Sequence, residues 1–141
     1  MILKLMEKFS VALVCSVFLF VIGSAPSFAQ KRINEALECS WLEYDFGNVS
    51  RGEMIDCVLS LKNVTESSII VKHVITSCNC ISASAEKRVI GVNETISIRI
   101  EFRTAEKKPG ECVQSVTVIT SDDRIYSFVL RAIIFEERLY L

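Results

Sequence analysis

Ile96-Ser97-Ile98-Arg99-Ile100-Glu101-Phe102-Arg103 alternates apolar and polar side chains without a break. Successive side chains of a strand point to opposite faces, so this run has one face made for a core and one for water. The same alternation sets Ile55, Cys57, Leu59 and Leu61 against Asp56, Ser60 and Lys62. Further β-rich runs cover Ile69 to Ile75, Val113 to Thr120 and Ile125 to Ile134. Turn chemistry separates them at Asn48–Gly52, Asn63–Ser68, Gly91–Glu94, Lys107–Gly110 and Ser121–Arg124. The strands expected are 36–42, 44–49, 53–63, 69–77, 81–87, 93–103, 111–121 and 124–135. No stretch of this region carries an apolar stripe at helical spacing for three turns, so no substantial helix is expected there. Short strands with one buried face each predict an all-β antiparallel sandwich of about seven or eight strands. An up-and-down barrel fits less well, because Ser82 to Lys87 reads as a weak edge strand or a crossover.

The chain has 141 residues, with 16 Lys+Arg against 17 Asp+Glu, six cysteines and one histidine. That is room for one domain. A pI near 5.9 excludes the basic surface that would track nucleic acid or anionic lipid. Five Gly and two Pro are too few for a collagen-like or disordered chain.

The first 29 residues read as a secretory signal peptide. Lys4 and Lys8 precede an apolar run from Val11 to Ile22, and Ser24-Ala25-Pro26-Ser27-Phe28-Ala29 ends in small residues, which predicts cleavage between Ala29 and Gln30. The run is well short of the roughly 20 residues that span a bilayer, which argues against a retained anchor. A lipoprotein start is disfavoured by Val14 in front of Cys15. Removing Lys4, Lys8 and Glu7 leaves 14 basic and 16 acidic residues, a net charge of −2 on residues 30–141. The expected organisation is a leader helix over 1–29 and one sandwich domain over 30–141. The domain is expected in the periplasm, the cell envelope or the medium, with no stable membrane span after cleavage. It holds Cys39, Cys57, Cys78, Cys80 and Cys112 in a compartment that permits disulfides, and five is an odd number.

Tyr44-Asp45-Phe46-Gly47-Asn48-Val49, then Gly52-Glu53, then Leu61-Lys62-Asn63, then Thr76-Ser77-Cys78-Asn79-Cys80 form an ordered series. It resembles the bacterial secreted family known as domain of unknown function 1573, whose pattern runs DFG-x-V, G-E, apolar-x-apolar-x-N and T-S-C-G-C. The resemblance covers about Glu43 to Ile133. That family looks like the immunoglobulin-like sandwiches of Hydin and major sperm protein type, so the resemblance implies the same fold and an exported location. It implies no activity, since none is established for the family. The sequence departs from the pattern at Asn79, where Gly is usual, and at Ile81, where Thr is usual. Asn tolerates positive φ, so the turn between the cysteines is expected to survive.

In such a topology Cys57, Cys78, Cys80 and Cys112 fall at one pole of the sandwich. Alternation turns Cys57 inward with Leu59 and Leu61, and Cys112 inward with Val116 and Val118. An inter-sheet Cys57–Cys112 disulfide is therefore expected, analogous to the bridge of antibody domains. Closing a loop of about 56 residues would contribute roughly 4 kcal/mol on the chain-entropy estimate. Two buried free thiols are the alternative.

Cys78-Asn79-Cys80 is the constellation able to carry chemistry. Two thiols one residue apart can hold a copper(I) or zinc ion, or shuttle between dithiol and disulfide. Cys57 and Cys112 could complete a four-ligand zinc site. His73 sits mid-strand, about 15 Å of extended chain before Cys78, and reads as a partly exposed strand residue unless a bulge re-aims it. A structural staple from Cys78 or Cys80 to Cys39 or to an inward thiol is the blander reading. C-x-C also lacks the C-x-x-C spacing and the helix N-terminus that usually lower a thiol pKa.

No Gly-x-Ser-x-Gly elbow accompanies His73, and the acidic pairs Asp122-Asp123 and Glu136-Glu137 fall in a turn and a tail. Trp41 is expected at the core edge. Asn48, Asn63 and Asn93 head Asn-x-Ser/Thr sequons, which matter only in a cell that glycosylates them. The sequence therefore predicts a non-catalytic secreted module, without a cofactor, that binds an unidentified protein or envelope component and no nucleic acid. The alternative from a different class is a periplasmic thiol protein that carries copper or zinc, or exchanges disulfides, through Cys78 and Cys80.

Overall fold

The computed structural model describes residues 31–32 and 36–136. The expected leader helix over 1–29, its Ala29/Gln30 cleavage point and the tail beyond Glu136 lie outside the described residues. The described chain is built of strands: β1 (Lys31–Arg32), β2 (Leu37–Cys39), β3 (Glu43–Ser50), β4 (Met54–Asn63), β5 (Ile69–Thr76), β6 (Ile81–Ala85), β7 (Val89–Ile90), β8 (Thr95–Arg103), β9 (Gly110–Thr120) and β10 (Ile125–Phe135). They form two sheets, in the orders β1-β2-β4-β8-β6 and β3-β10-β9-β5-β7. Two sheets with free edges make a sandwich, and the barrel reading is excluded because neither sheet closes on itself. No helix of the described residues is long and apolar enough to cross a membrane.

The alternating runs behave as their periodicity demands. Leu59 pairs with Ile98 and Leu61 with Ile96 in register, and all four are fully buried. In the facing sheet Val116 pairs with Phe128 and Val118 with Tyr126, again without exposed surface beyond 1%. Each such side chain contributes on the order of 1.5–3 kcal/mol by leaving water. The core is therefore the filling between β4–β8 and β9–β10.

The Asp45-Phe46-Gly47 stretch acts through its backbone. β3 runs parallel to β10, and the register slips between Arg131 and Ile133, so Asp45 to Asn48 opposes a shorter stretch of its partner. Gly47 takes φ +68 there, and its N–H donates to Asp45 Oδ1 at 2.8 Å. A residue with a Cβ is strained in that conformation, which is the physical reason for Gly at this place.

Eight of these strands answer the eight expected and β1 and β7 are additional; of the boundaries that differ, two bear on the crossings between sheets. The strand foreseen over 36–42 stops at Cys39, because Ser40 to Leu42 carries the chain across to the other sheet. The strand foreseen over 81–87 stops at Ala85; the chain then crosses over and pairs β7 with Ile69 and Ile70 of β5 before returning to the first sheet as β8. Asn63 anchors this crossing. Fully buried, its Nδ2 donates to the carbonyls of Ser67, Ile90 and Gly91, while Oδ1 accepts from the N–H and hydroxyl of Thr65.

Candidate functional site

The turn from β5 to β6 carries the chain from one sheet to the other and holds Cys78, Asn79 and Cys80. These two cysteines pair with each other, with Cα atoms 5.2 Å apart. The expected Cys57–Cys112 bridge is not formed; both residues are free thiols, 5% and 8% exposed. The inward direction of both was read correctly, but a shared direction does not set a distance. A disulfide needs the two Cα atoms within about 7 Å, a local approach that facing the same core does not supply. Phe102, two residues beyond Ile100, the register partner of Cys57, packs on Phe46 of the other sheet with ring centroids 6.3 Å apart. The staple reading fails for the same turn, since neither Cys78 nor Cys80 reaches Cys39, Cys57 or Cys112. A ring closed over three residues contributes only about 1.5 kcal/mol on the chain-entropy estimate, against roughly 4 for the bridge expected.

Burial, and behind it the neighbouring Asp56 carboxylate, pushes the Cys57 thiol up to about 11, which keeps it protonated and unreactive at neutral pH. Cys112 Sγ lies 3.7 Å from the Gln114 amide nitrogen. The four-cysteine zinc set is not assembled: among the described residues no group of three or more His, Cys, Asp or Glu is placed to hold a metal ion.

The Cys78–Cys80 turn is held by more than its sulfurs. Ser77 N–H donates to Ser115 O at 3.0 Å, Ile81 N–H to Cys78 O at 3.2 Å and Arg103 N–H to Cys80 O at 2.8 Å. Arg103 Nη2 donates to Asn79 O at 2.8 Å, and Thr76 Oγ1 to Cys78 O at 3.2 Å. Asn79 does not need the conformation expected of it: the non-glycine residues at positive φ are Asn93 and Asp123. Cys80 and Arg103 open, with Glu106, onto a surface cavity of about 430 Å³.

Above this turn the sandwich gapes. β6 is the last strand of its sheet, and β7 covers only Ile69 and Ile70 of β5, so the lower part of β5 is also an edge. Between the two edges runs a cleft of about 360 Å³ with Val74, Ala83 and Ala85 along its floor and Lys72, His73 and Arg88 around its rim. A register slip in β5 between Val71 and His73 breaks the inward alternation and leaves Lys72 and His73 both exposed. This is the bulge that re-aims His73. It faces the cleft mouth and not the cysteines. Lys72 pairs with Asp123 at 2.7 Å, while Arg88 makes no ion pair among the described residues. Sequence reading passed over Lys72 and Arg88 because only the fold brings them together.

The remaining candidates are structural. Asp122 pairs with Arg124 and accepts from the Thr120 hydroxyl, a bond that holds its carboxyl below the usual range. Glu136 pairs with Arg51, and Glu137 lies outside the described residues. Trp41 packs at the core edge against Tyr44 and Phe128. The Asn63 side chain is buried and bonded, so that sequon has no free amide to modify.

The two packed sheets define an immunoglobulin-like β-sandwich. The structure is similar to the ASH / PapD-like domain of human CEP192 (PapD-like domain 7), with a TM-score of 0.62 and 13% identity over 83% of this chain and 97% of that one. It is equally similar in fold to a protein of unknown function from Porphyromonas gingivalis, with a TM-score of 0.62 and 17% identity over 70% of this chain and 46% of that one. A family 123 glycoside hydrolase from Clostridium perfringens matches with a TM-score of 0.58 and 12% identity, over 68% of this chain and 23% of that one. The chain thus spans under half of the Porphyromonas protein and about a quarter of the hydrolase, and at these identities the likeness is one of fold. No curated protein matches the sequence. The chain belongs to the family of proteins of unknown function DUF1573, whose model matches residues 37–132, from β2 into β10.

Proposed function

We propose that the protein is an exported, non-catalytic binding module that receives an extended, acidic segment of a partner protein in the cleft between β5 and β6. The observation that carries this reading is the pairing of two open strand edges with a cationic rim. An edge strand offers unpaired backbone N–H and C=O groups, and an added strand satisfies them while its alternate side chains enter the gap. Arg88, which has no ion pair among the described residues, selects a partner of negative charge, and Lys72, shared with Asp123, adds to it. The signal-like segment over residues 1–29 supports export, and the module would then meet its partner in the periplasm or the cell envelope.

The test is titration of the protein with a short peptide of alternating Val and Glu, and with its Val and Lys counterpart as control. The acidic peptide binds and the basic one does not. In the Lys72→Glu/Arg88→Glu double variant the acidic peptide binds at least about tenfold more weakly, because both attractive charges have been reversed. Equal binding of the two peptides, or an unchanged affinity in the variant, overturns the reading. Export is checked by N-terminal sequencing of the protein from the cell envelope fraction, which is expected to start at Gln30.

A further inference from the structure

The Cys78–Cys80 turn has a chemistry of its own, independent of the cleft. We propose that these residues form a reversible redox pair that exchanges electrons with a partner dithiol, with Cys80 as the sulfur attacked. Three features carry this. The bond closes across a single residue, so opening it releases no long loop and leaves the sheets joined as before. The backbone of the turn is held by Ser115 O, Arg103 N–H and the Arg103 guanidinium, none of which depends on the sulfurs, so the two thiols stay together after reduction. Cys80, and not Cys78, lines the surface cavity that it shares with Arg103.

The exchange balances as follows. A thiolate of the partner dithiol attacks Cys80 Sγ, forming a mixed disulfide as the Cys78–Cys80 bond breaks. Cys78 leaves as a thiolate and takes a proton from water. The second partner thiolate then attacks the partner sulfur of the mixed disulfide, and Cys80 leaves as a thiolate beside Arg103. The partner gives up two electrons and becomes a disulfide; this protein gains them and becomes a dithiol. In the reverse direction the Cys80 thiolate attacks a partner disulfide and Cys78 resolves it. The Arg103 guanidinium carries a permanent positive charge and favours the Cys80 thiolate, while Glu106 on the same cavity opposes it. Arg103 acts here as a positioning and electrostatic residue.

The full chain is equilibrated in graded mixtures of reduced and oxidised dithiothreitol, quenched with an alkylating reagent and mapped by mass spectrometry. Cys78 and Cys80 are expected to become alkylated together in one two-electron step and to re-form their bond on reoxidation, with the near-UV circular dichroism of the folded protein unchanged. Cys57 stays unmodified throughout. In a second experiment with 5,5′-dithiobis(2-nitrobenzoate), whose disulfide is attacked with release of one thionitrobenzoate, Cys78→Ser is expected to form the mixed disulfide at Cys80 about tenfold faster than Cys80→Ser does at Cys78. Arg103→Gln slows that reaction and moves its pH profile upward, and Arg103→Lys restores both. A pair that resists reduction until the protein unfolds overturns the proposal. So does equal trapping at the two positions, or an Arg103→Gln profile that matches the parent.

Discussion

Two of the places at which the chain crosses between sheets are built from opposite materials. At one, where Ser40 to Leu42 crosses, β2 leaves β4 early and side chains take over its work. Ser40 exchanges hydrogen bonds with Ser60, donating its N–H to Ser60 O and accepting the Ser60 N–H at its hydroxyl. Trp41 Nε1 then donates to Val58 O at 3.0 Å. A ladder of rings, Trp41 on Tyr44, Tyr44 on Phe46 and Phe46 on Phe102, closes the gap between the sheets. At the other, where Ser77 to Cys80 crosses, the facing residues are the small Val74, Ala83 and Ala85, and cations stand at the mouth. The same sandwich is sealed where it buries aromatic rings and open where it does not. An edge left open in this way is one with its backbone groups still to satisfy.

The contrast is broken most severely from the sealed side. Phe102→Ala removes a ring that is 1% exposed and spans to Phe46, and is expected to cost about 4 kcal/mol in denaturant unfolding. Trp41→Ala, at a partly buried position, is expected to cost about 3 kcal/mol, and Trp41→Phe to recover the packing share but not the bond to Val58 O. A loss below about 1 kcal/mol for either alanine variant would mean that the rings do not hold the sheets.

From the open side, Ala83→Phe gives the cleft the kind of filler that the sealed end has. The protein is expected to unfold within about 1 kcal/mol of the parent, since the gap has room, and to lose binding of the acidic peptide. Retained binding would place the peptide elsewhere.

The smallest effect expected is one of pH, at the turn above the cleft. A bond from Lys87, and then the Gly91 N–H at 2.7 Å, hold the Glu94 carboxyl below its ordinary range. A carboxylate whose pKa is lowered in the folded state adds stability that is fully present above its unfolded pKa and is lost as pH falls through the folded value. Hydrogen exchange at Gly91 is therefore expected to quicken as pH falls below about 4, relative to the intrinsic rate, and Glu94→Gln to abolish that change. Exchange that keeps the same pH dependence in both proteins would assign the protection to the backbone alone.

Much of this was legible before any coordinates. The strands around Leu59, Ile98, Val116 and Phe128 follow from alternation, because burial of one face is a local property of a strand. Gly47 could be singled out as part of a motif, though its reason, a slip in a parallel pair, needs the partner strand. Asn63 shows the opposite limit. Its five bonds reach Thr65, Ser67, Ile90 and Gly91, two of them far along the chain, and a lone Asn after a strand carries no sign of them. The cysteines divide in the same way. Strand order led to the expectation of a common pole, but it did not give their partners, because pairing depends on distances between segments remote in sequence.

By itself the sequence determined the eight longer strands, which of their faces are buried and the family to which the chain belongs, since each of these is written in neighbouring residues. Only the tertiary structure decided that Cys78 bonds Cys80, that Cys57 and Cys112 stay apart, and that Lys72, His73 and Arg88 stand around one cleft. Those outcomes rest on distances between segments remote in sequence, and such distances are set by the packing of the whole core.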